Sequence, residues 1–148
     1  MEPIVVQIDI DRSPADVYAY ATDPRHFPEW QKDVAAAKVT DGAPGALGST
    51  FDTIRHFAGM QRSLTQEVIE AEPPNRWASR GVNGAIRANA AVTIAPLNGG
   101  QSSRITFSIT FDSGWLGKAV MPMVVRQTKA GAPKSFQNLK RILEKPAP

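Results

Sequence analysis

Apolar and polar residues alternate along two well-separated stretches of the chain. Over residues 4–11, the sequence IVVQIDID places isoleucine or valine at every second position. Over residues 104–111, RITFSITF does the same with isoleucine and phenylalanine. A period of two is typical of a β-strand with one buried face. Both stretches are therefore predicted to lie in a sheet that covers a core.

Two short helices are predicted directly after the first strand. Ser13 is a favourable N-cap, Pro14 suits the first helical position, and Asp16 completes a capping-box spacing. The pair Asp23-Pro24 ends this helix, because a residue before proline disfavours helical geometry. One or two further helical turns are expected over about 25–31.

Turn signals divide the middle of the chain into further strands. Ala58-Gly59 and Asn83-Gly84 each lie between two strand-like segments and predict hairpins. Prolines in 72–75 and glycines in 98–100 predict two more turns. With a weaker strand over 34–40, the pattern predicts an antiparallel meander of about six strands after the helices, or about seven strands in all.

The last third of the chain changes to helical spacing. Apolar residues recur every three or four positions from Leu116 onward, which predicts one long amphipathic helix, kinked or interrupted at Pro122 and near 131–133. A sheet with one apolar face needs a cover, and this helix is the only large one available. Small side chains at Ala88 and Ala90 leave room beneath it, for a packed core or for a cavity.

Composition narrows the class of protein. With 148 residues and a hydrophobic share of 42%, the chain is expected to form one globular domain over 1–148. The lack of cysteine excludes disulfides and thiolate metal sites, and two histidines alone argue against a histidine metal centre. We expect neither a metal nor a cofactor.

The start of the chain and its charge bear on location and partners. No stretch reaches the ~18 apolar residues of a membrane span, and the first residues do not form a signal peptide. We therefore expect a cytoplasmic protein without stable membrane insertion. The net charge of +3 invites a nucleic-acid role, but the basic residues are scattered from Arg12 to Lys145, which favours a solvated surface and no nucleic-acid partner.

The order of elements, with particular residues, resembles the START-like SRPBCC superfamily. This is the helix-grip fold of polyketide cyclase/dehydrase-like proteins, lipid-transfer domains and plant pathogenesis-related allergens. The matching segments are IDIDRSPADVYAYATDPRHFPEW at 8–30, VIEAEPPNRW at 68–77, VTIAP at 92–96 and KSFQNLKRILE at 134–144. The resemblance spans about residues 4–143.

The resemblance implies an α+β fold, in which a curved antiparallel sheet of about seven strands wraps around a long C-terminal helix. Two short helices after the first strand would close one end of the sheet. Phe27 and Trp30 would then anchor the second of them, with packing favoured over ligand contact as their role. The superfamily includes carriers, sensors and enzymes, so the fold alone does not select the activity.

Three functions follow as expectations. The favoured one is binding of a hydrophobic or amphipathic small molecule, such as a lipid, isoprenoid or polyketide, between the sheet and the C-terminal helix. The alternatives are an enzyme of the polyketide cyclase/dehydratase type in the same cavity, and an interaction protein whose cavity is filled by its own side chains. A monomer or a homodimer fits each of them.

Candidate site residues come from the predicted faces. On the strand 50–57 we favour an inward face of Phe51, Thr53, Arg55 and Phe57, which would aim Arg55 at the cavity unless it reaches solvent at the strand end. Arg55 and His56 are weak catalytic candidates, and His56 fits a lone surface histidine better. The candidate ligand-binding residues are Trp30, Phe51, Thr53, Arg55, Gln66, Trp77, Asn89, Phe107, Met123 and Val124, with Ser79 as a further polar candidate. Met121 and Met123 also suit the role of core filler.

Overall fold

Seven antiparallel strands form one sheet, in agreement with the sequence. The computed structural model describes residues 2–57, 59–115 and 117–146, and of Phe57 only the backbone. The strands follow the order β1-β7-β6-β5-β4-β3-β2 across the sheet. Their bounds are β1 Ile4–Ile10, β2 Val34–Asp41, β3 Thr50–Phe57, β4 Met60–Glu72, β5 Arg76–Gly81, β6 Ile86–Leu97 and β7 Ser102–Ser113.

Short helices follow β1, as predicted. Helix α1 spans Pro14–Ala21, and the Ser13 hydroxyl accepts a 3.3 Å hydrogen bond from the Asp16 amide at its start. A 3₁₀ turn at Pro24–His26 leads into α2 at Phe27–Trp30. The predicted N-cap is confirmed, and it fixes where the chain leaves the first strand.

The long C-terminal helix α3 spans Met121–Leu143, so the predicted interruptions are wrong. Pro122 lies in the first turn, where an amide proton has no intrahelical partner and its absence breaks no bond. Pro133 lies inside α3 without ending it. The predicted helical position Leu116 lies outside the described residues. None of the helices in the described ranges is long and apolar enough to cross a membrane.

The turn between β5 and β6 is longer than the two-residue hairpin that Asn83-Gly84 suggests. Strand β5 ends at Gly81 and β6 begins at Ile86, which leaves the four residues 82–85 in the turn, and the last register pair is Arg80 with Asn89. The Asn83 side chain instead bonds to β4, where its Oδ1 accepts from the Thr65 amide at 3.3 Å and its Nδ2 donates to the Thr65 hydroxyl at 3.1 Å. The β3–β4 hairpin is where the sequence predicts it, with Phe57 paired to Met60, although Ala58 lies outside the described residues.

The core lies between the inner face of the sheet and α3, in two clusters. In the larger one, Phe136 and Leu139 of α3 pack with Val17 of α1 and with the middle of the sheet. The smaller one gathers Ile4, Leu64, Ile86, Phe111 and Val124. Members of both clusters bound a cavity, which is the candidate site.

Candidate functional site

A cavity of about 410 Å³ lies between the inner face of the sheet, α2 and the middle of α3. This volume is in the range of small-molecule sites, about 300–1,000 Å³. Much of the room exists because Ala88 and Ala90 carry only methyl groups where β6 crosses the cavity. Seven aromatic rings line the wall, namely Phe27, Trp30, Phe51, Trp77, Phe107, Phe111 and Phe136.

The aromatic rings at one end of the cavity pack against one another. Phe27 lies edge-on to Trp30, Phe51 and Trp77, at centroid distances of 6.0, 5.6 and 6.3 Å. The ring of Trp30 packs against that of Phe136 on α3, with the two ring centroids 5.1 Å apart. Edge-to-face pairs of this kind stabilise the packing beyond simple burial. Phe27 and Trp30 thus anchor α2 onto the sheet and onto α3, and they also line the cavity.

Trp77 is held by a polar contact as well as by packing. Its indole Nε1 donates a 3.2 Å hydrogen bond to the Gly45 carbonyl in the loop between β2 and β3. The indole of Trp30, in contrast, is buried and its Nε1 has no acceptor among the described residues. Fixed rings of this kind give the cavity a defined shape rather than a fluid one.

Two polar side chains lie inside this otherwise apolar wall. Gln66 of β4 and Ser79 of β5 are 7% and 4% exposed, and the Ser79 hydroxyl donates to Gln66 Oε1 at 3.2 Å. No described residue accepts a hydrogen bond from the side-chain nitrogen of Gln66, Nε2. The Gln66 NH₂ group is therefore the donor that the interior offers to an occupant.

Arg55 lies at the polar mouth of the cavity, near the end of β3. Its guanidinium contacts the Asp33 carboxylate at 3.1 Å and donates to the Gln31 side-chain oxygen at 2.9 Å and to the Thr53 hydroxyl at 3.3 Å. The Arg55 side chain is 21% exposed, so it is neither free in solvent nor unpaired in the interior. These bonds orient the guanidinium and tie the 31–33 segment to β3.

Contacts from α3 close the other side of the mouth. The Gln127 side chain donates to the His56 carbonyl, and the Lys32 amide donates to the Ser135 hydroxyl at 3.0 Å. Lys134 also lines this rim. The cavity thus has a largely apolar interior that contains the Gln66 donor, and a rim of charged and amide groups, which is an arrangement suited to an amphipathic molecule.

Six of the ten candidate residues lie on the cavity wall: Trp30, Phe51, Arg55, Gln66, Trp77 and Phe107. Whether they contact a ligand stays a prediction. The inward face of β3 is the one the sequence favours, since Phe51 and Thr53 are buried and Ile54 is exposed. The side chain of Phe57 lies outside the described part of the chain.

Four candidates are placed elsewhere, and each placement has a physical reason. Thr53 is buried beneath Arg55 and accepts its hydrogen bond. Asn89 faces outward and donates to Asp112 at 2.7 Å, because its neighbours Ala88 and Ala90 face the cavity and β6 alternates. Met123 and Val124 lie on α3.

The phase of α3 decides the positions of Met121, Met123 and Val124. Val124 is 1% exposed in the smaller core cluster, away from the cavity wall. Met123, one residue earlier, is turned outward and is 49% exposed, so it is neither core filler nor a wall residue. Met121 does pack against the smaller cluster. Adjacent helical residues point about 100° apart, and the phase of α3 at this point turns Val124 inward and Met123 outward.

Several wall residues were not among the candidates. The α3 segment from Gln127 to Phe136, together with Gln31 and Asp33, completes the mouth. The helical spacing of Phe136 and Leu139 in the sequence does indicate that Phe136 lies on the inward face of α3. No pattern in the sequence indicates that Asp33 pairs with Arg55, because tertiary folding alone brings these residues together.

The polar groups in the interior of the cavity are uncharged. Gln66 and Ser79 carry no charge, and no base contacts the Ser79 hydroxyl in the described structure. His56 is exposed on the rim, as expected for a surface histidine. The described residues contain no group of three or more histidine, aspartate or glutamate side chains that could hold a metal ion.

A sequence comparison identifies the family. The model for polyketide cyclase/dehydrase and lipid transport proteins matches residues 1–144. The chain belongs to this family. Among curated proteins, none matches the sequence significantly.

Solved structures that are similar to this family member confirm the fold. The Zhui aromatase/cyclase from Streptomyces sp. R1128 has a TM-score of 0.81 at 9% identity, over 96% of this chain and 93% of that one. A Thermus thermophilus protein gives 0.78 at 16% identity, covering 95% and 96% of the two chains. A START superfamily protein from Mycobacterium smegmatis gives 0.72 at 13% identity, covering 97% and 95%. The START-like helix-grip fold is thereby confirmed, while identities this low carry no statement about activity.

Proposed function

We propose that this protein binds a hydrophobic or amphipathic small molecule in the cavity between the sheet and α3. The observation that supports this most is the pairing of an open volume of about 410 Å³ with a wall that is mostly apolar. Burial of apolar surface would supply the affinity, at about 25 cal/mol per Å². A filled interior, which an interaction protein would have, does not agree with this volume.

The Gln66–Ser79 pair supports a more specific ligand. Because the Ser79 hydroxyl engages the Gln66 oxygen, the amide nitrogen is left as a donor within an apolar wall. A ligand with a carbonyl, ester or ether oxygen in its apolar body would satisfy it, whereas a pure hydrocarbon would leave it unpaired. We infer that the ligand carries such an oxygen, as acyl lipids, isoprenoid ketones and polyketides do.

Binding is favoured over a cyclase or dehydratase reaction because of where the charged groups lie. Arg55 and Asp33 are at the mouth and bond to each other, so neither stands ready to move a proton deep in the cavity. The interior itself offers an amide and a hydroxyl. These groups orient a bound molecule but are poor general acids and bases near neutral pH.

The proposal can be tested by filling the cavity. Ala90 faces it, whereas its neighbour Ala91 lies on the exposed face of the same strand. Ala90→Leu should weaken binding of a naphthalene probe, such as 2-acetylnaphthalene, by at least about tenfold. Ala91→Leu should leave it unchanged. Fluorescence titration measures both variants against the wild-type protein.

Native mass spectrometry of protein purified gently from expressing cells gives a second readout. We expect a co-purified lipophile on the wild-type protein and its loss from Ala90→Leu. The proposal fails if the wild-type protein carries no lipophile and binds no naphthalene probe, or if both leucine variants bind the probe as the wild type does.

A further inference from the structure

One tryptophan is exposed although the other two are buried. Trp115 has 80% of its surface exposed, against 5% for Trp30 and 4% for Trp77. It lies in the turn between β7 and α3, which is closed by a 2.9 Å hydrogen bond from the Gly117 amide to the Gly114 carbonyl. The chain therefore presents a large apolar ring to solvent at this point, without gain to its own folding.

The turn is anchored to the end of the sheet. The Gly114 amide donates to the Ala85 carbonyl at 3.2 Å. A side chain at Gly117 would come within 2.6 Å of the same carbonyl oxygen, so the backbone there packs tightly against the β5–β6 turn. Gly114 and Gly117, on either side of Trp115 in the sequence, thus both pack against this end of the sheet.

The charged residues of the segment that contains Trp115 and α3 have one sign. From Ser113 to Leu143 the sequence contains no aspartate or glutamate and six basic residues, Lys118, Arg126, Lys129, Lys134, Lys140 and Arg141. Lys118, Arg126 and Lys129 rim a shallow surface groove whose apolar lining is Met121, Pro122 and Val125. No described carboxylate pairs with these three cations.

The groove shares α3 with the cavity. Arg126 and Lys129 line the groove, while Gln127, Thr128 and Ala130, which alternate with them along the helix, line the cavity. The helix thus separates the ligand cavity from a cationic, partly apolar surface. Whatever binds that surface lies against the cavity wall.

We propose that Trp115, Lys118, Arg126 and Lys129, which we name the Trp115 patch, dock this protein onto an anionic lipid bilayer. Tryptophan rings partition into the membrane–water interface, and clusters of lysine and arginine are attracted to anionic headgroups. A single ring that projects from a turn suits insertion between lipids. Unpaired cations on long side chains suit headgroups that rearrange around them, rather than the fixed carboxylates of a folded partner.

Docking is peripheral and is independent of the ligand proposal. None of the described helices could span a membrane, and the proposed contact is made by the Trp115 ring and the cations. A variant whose cavity is filled, Ala90→Leu, should dock as well as the wild-type protein. Failure of docking and failure of ligand binding can therefore be told apart.

Vesicle co-sedimentation of the full chain tests the proposal. The wild-type protein should bind phosphatidylcholine vesicles that contain phosphatidylserine, bind pure phosphatidylcholine far more weakly, and be released by high salt. The triple variant Lys118→Gln/Arg126→Gln/Lys129→Gln should bind the anionic vesicles at least about tenfold more weakly. The control Lys38→Gln/Arg76→Gln/Lys145→Gln removes the same charge from other surfaces and should bind nearly as the wild type does.

Fluorescence reports the insertion directly, because only Trp115 is exposed. Brominated acyl chains in the anionic vesicles should quench the emission of the wild-type protein, and Trp115→Ser should abolish this quenching while its fold, judged by circular dichroism, stays intact. Equal losses in both triple variants would overturn the proposal. So would binding of polyglutamate or an acidic protein without quenching by brominated lipid, which would assign the patch to a protein partner.

Discussion

The Ser79 hydroxyl donates to the Gln66 amide oxygen at 3.2 Å, between two buried side chains of adjacent strands. This single bond decides which end of the Gln66 amide is left for a ligand. An apolar cavity without a polar group would accept any molecule of suitable size, whereas one directed donor discriminates between molecules of the same shape. In the proposed function, the pair therefore gives this hydrophobic space a chemical preference.

Replacing Gln66 should remove this preference. We expect Gln66→Leu to weaken binding of 2-acetylnaphthalene about 5- to 30-fold, because a hydrogen bond of about 1–2 kcal/mol is lost. Binding of 2-ethylnaphthalene, which has no acceptor, should change less than about twofold. Fluorescence titration of both probes measures the difference.

The exposed Gln101→Leu serves as a control for this substitution and should bind both probes as the wild type does. Equal weakening of the two probes by Gln66→Leu would show a change of shape rather than the loss of a donor. That outcome would contradict the role given to Gln66.

The end of α3 is attached to the first strand by a carboxylate, and this attachment should depend on pH. Glu144 accepts hydrogen bonds from Lys140 Nζ at 2.7 Å and from the Asp11 amide at 2.8 Å. The Lys140 bond foremost, and then the Asp11 amide, lower the pKa of Glu144 below its ordinary value. A lowered pKa means that the stabilisation is complete above the unfolded-state pKa and is lost as the pH falls through the folded-state value.

Glu144→Gln should therefore reduce the free energy of unfolding by about 1 kcal/mol at about pH 7. The difference in the free energy of unfolding between the variant and the wild type should shrink toward zero at strongly acidic pH. Urea unfolding at several pH values measures it, with the exposed Glu2→Gln as the control that should show no gap at any pH. A gap that is equally large in acid would show that Glu144 does not act through its charge.

The strand pattern of the sequence was sufficient for most of the fold. The alternation on β7 correctly assigned Ile105 to the interior and Arg104 to the surface, where it pairs with Asp9 at 2.8 Å. The same rule would have excluded Asn89, since it lies between Ala88 and Ala90 on a strand whose cavity-facing positions are even-numbered. The outward position of Asn89 therefore follows from the sequence alone.

The mouth of the cavity could not be predicted in the same way. Asp33 and Arg55 are 22 residues apart, and Lys32 and Ser135 are 103 apart, so no local period links them. The phase of α3 also depends on where the helix begins, and the actual start at Met121 placed Met123 outside and Val124 inside. Such positions follow from how the elements pack, which a one-dimensional pattern does not contain.

A glycine in the middle of α3 offers a test of how closely the helix is packed. A methyl group added at Gly131 would meet no atom within 4 Å, and Gly131 lines the cavity. Gly131→Ala should raise the free energy of unfolding by about 0.5–1 kcal/mol, because alanine loses less backbone freedom in a helix. Chemical denaturation measures this change.

Gly117→Ala is the matched control, since its methyl group would approach the Ala85 carbonyl oxygen to 2.6 Å. This variant should lose stability, while the alanine at position 131 adds to it. A loss of stability at both positions would contradict an open space beside α3.

The proposed function requires that a small molecule occupy the space between the sheet and α3. Nuclear Overhauser contacts between bound 2-acetylnaphthalene and isotope-labelled protein test it most directly. We predict contacts to the methyl groups of Ala88, Ala90 and Val92 and to the ring of Phe136, which all line the cavity. Contacts confined to outward residues such as Ala91 and Met123, or no contacts at all from a bound probe, would contradict the account.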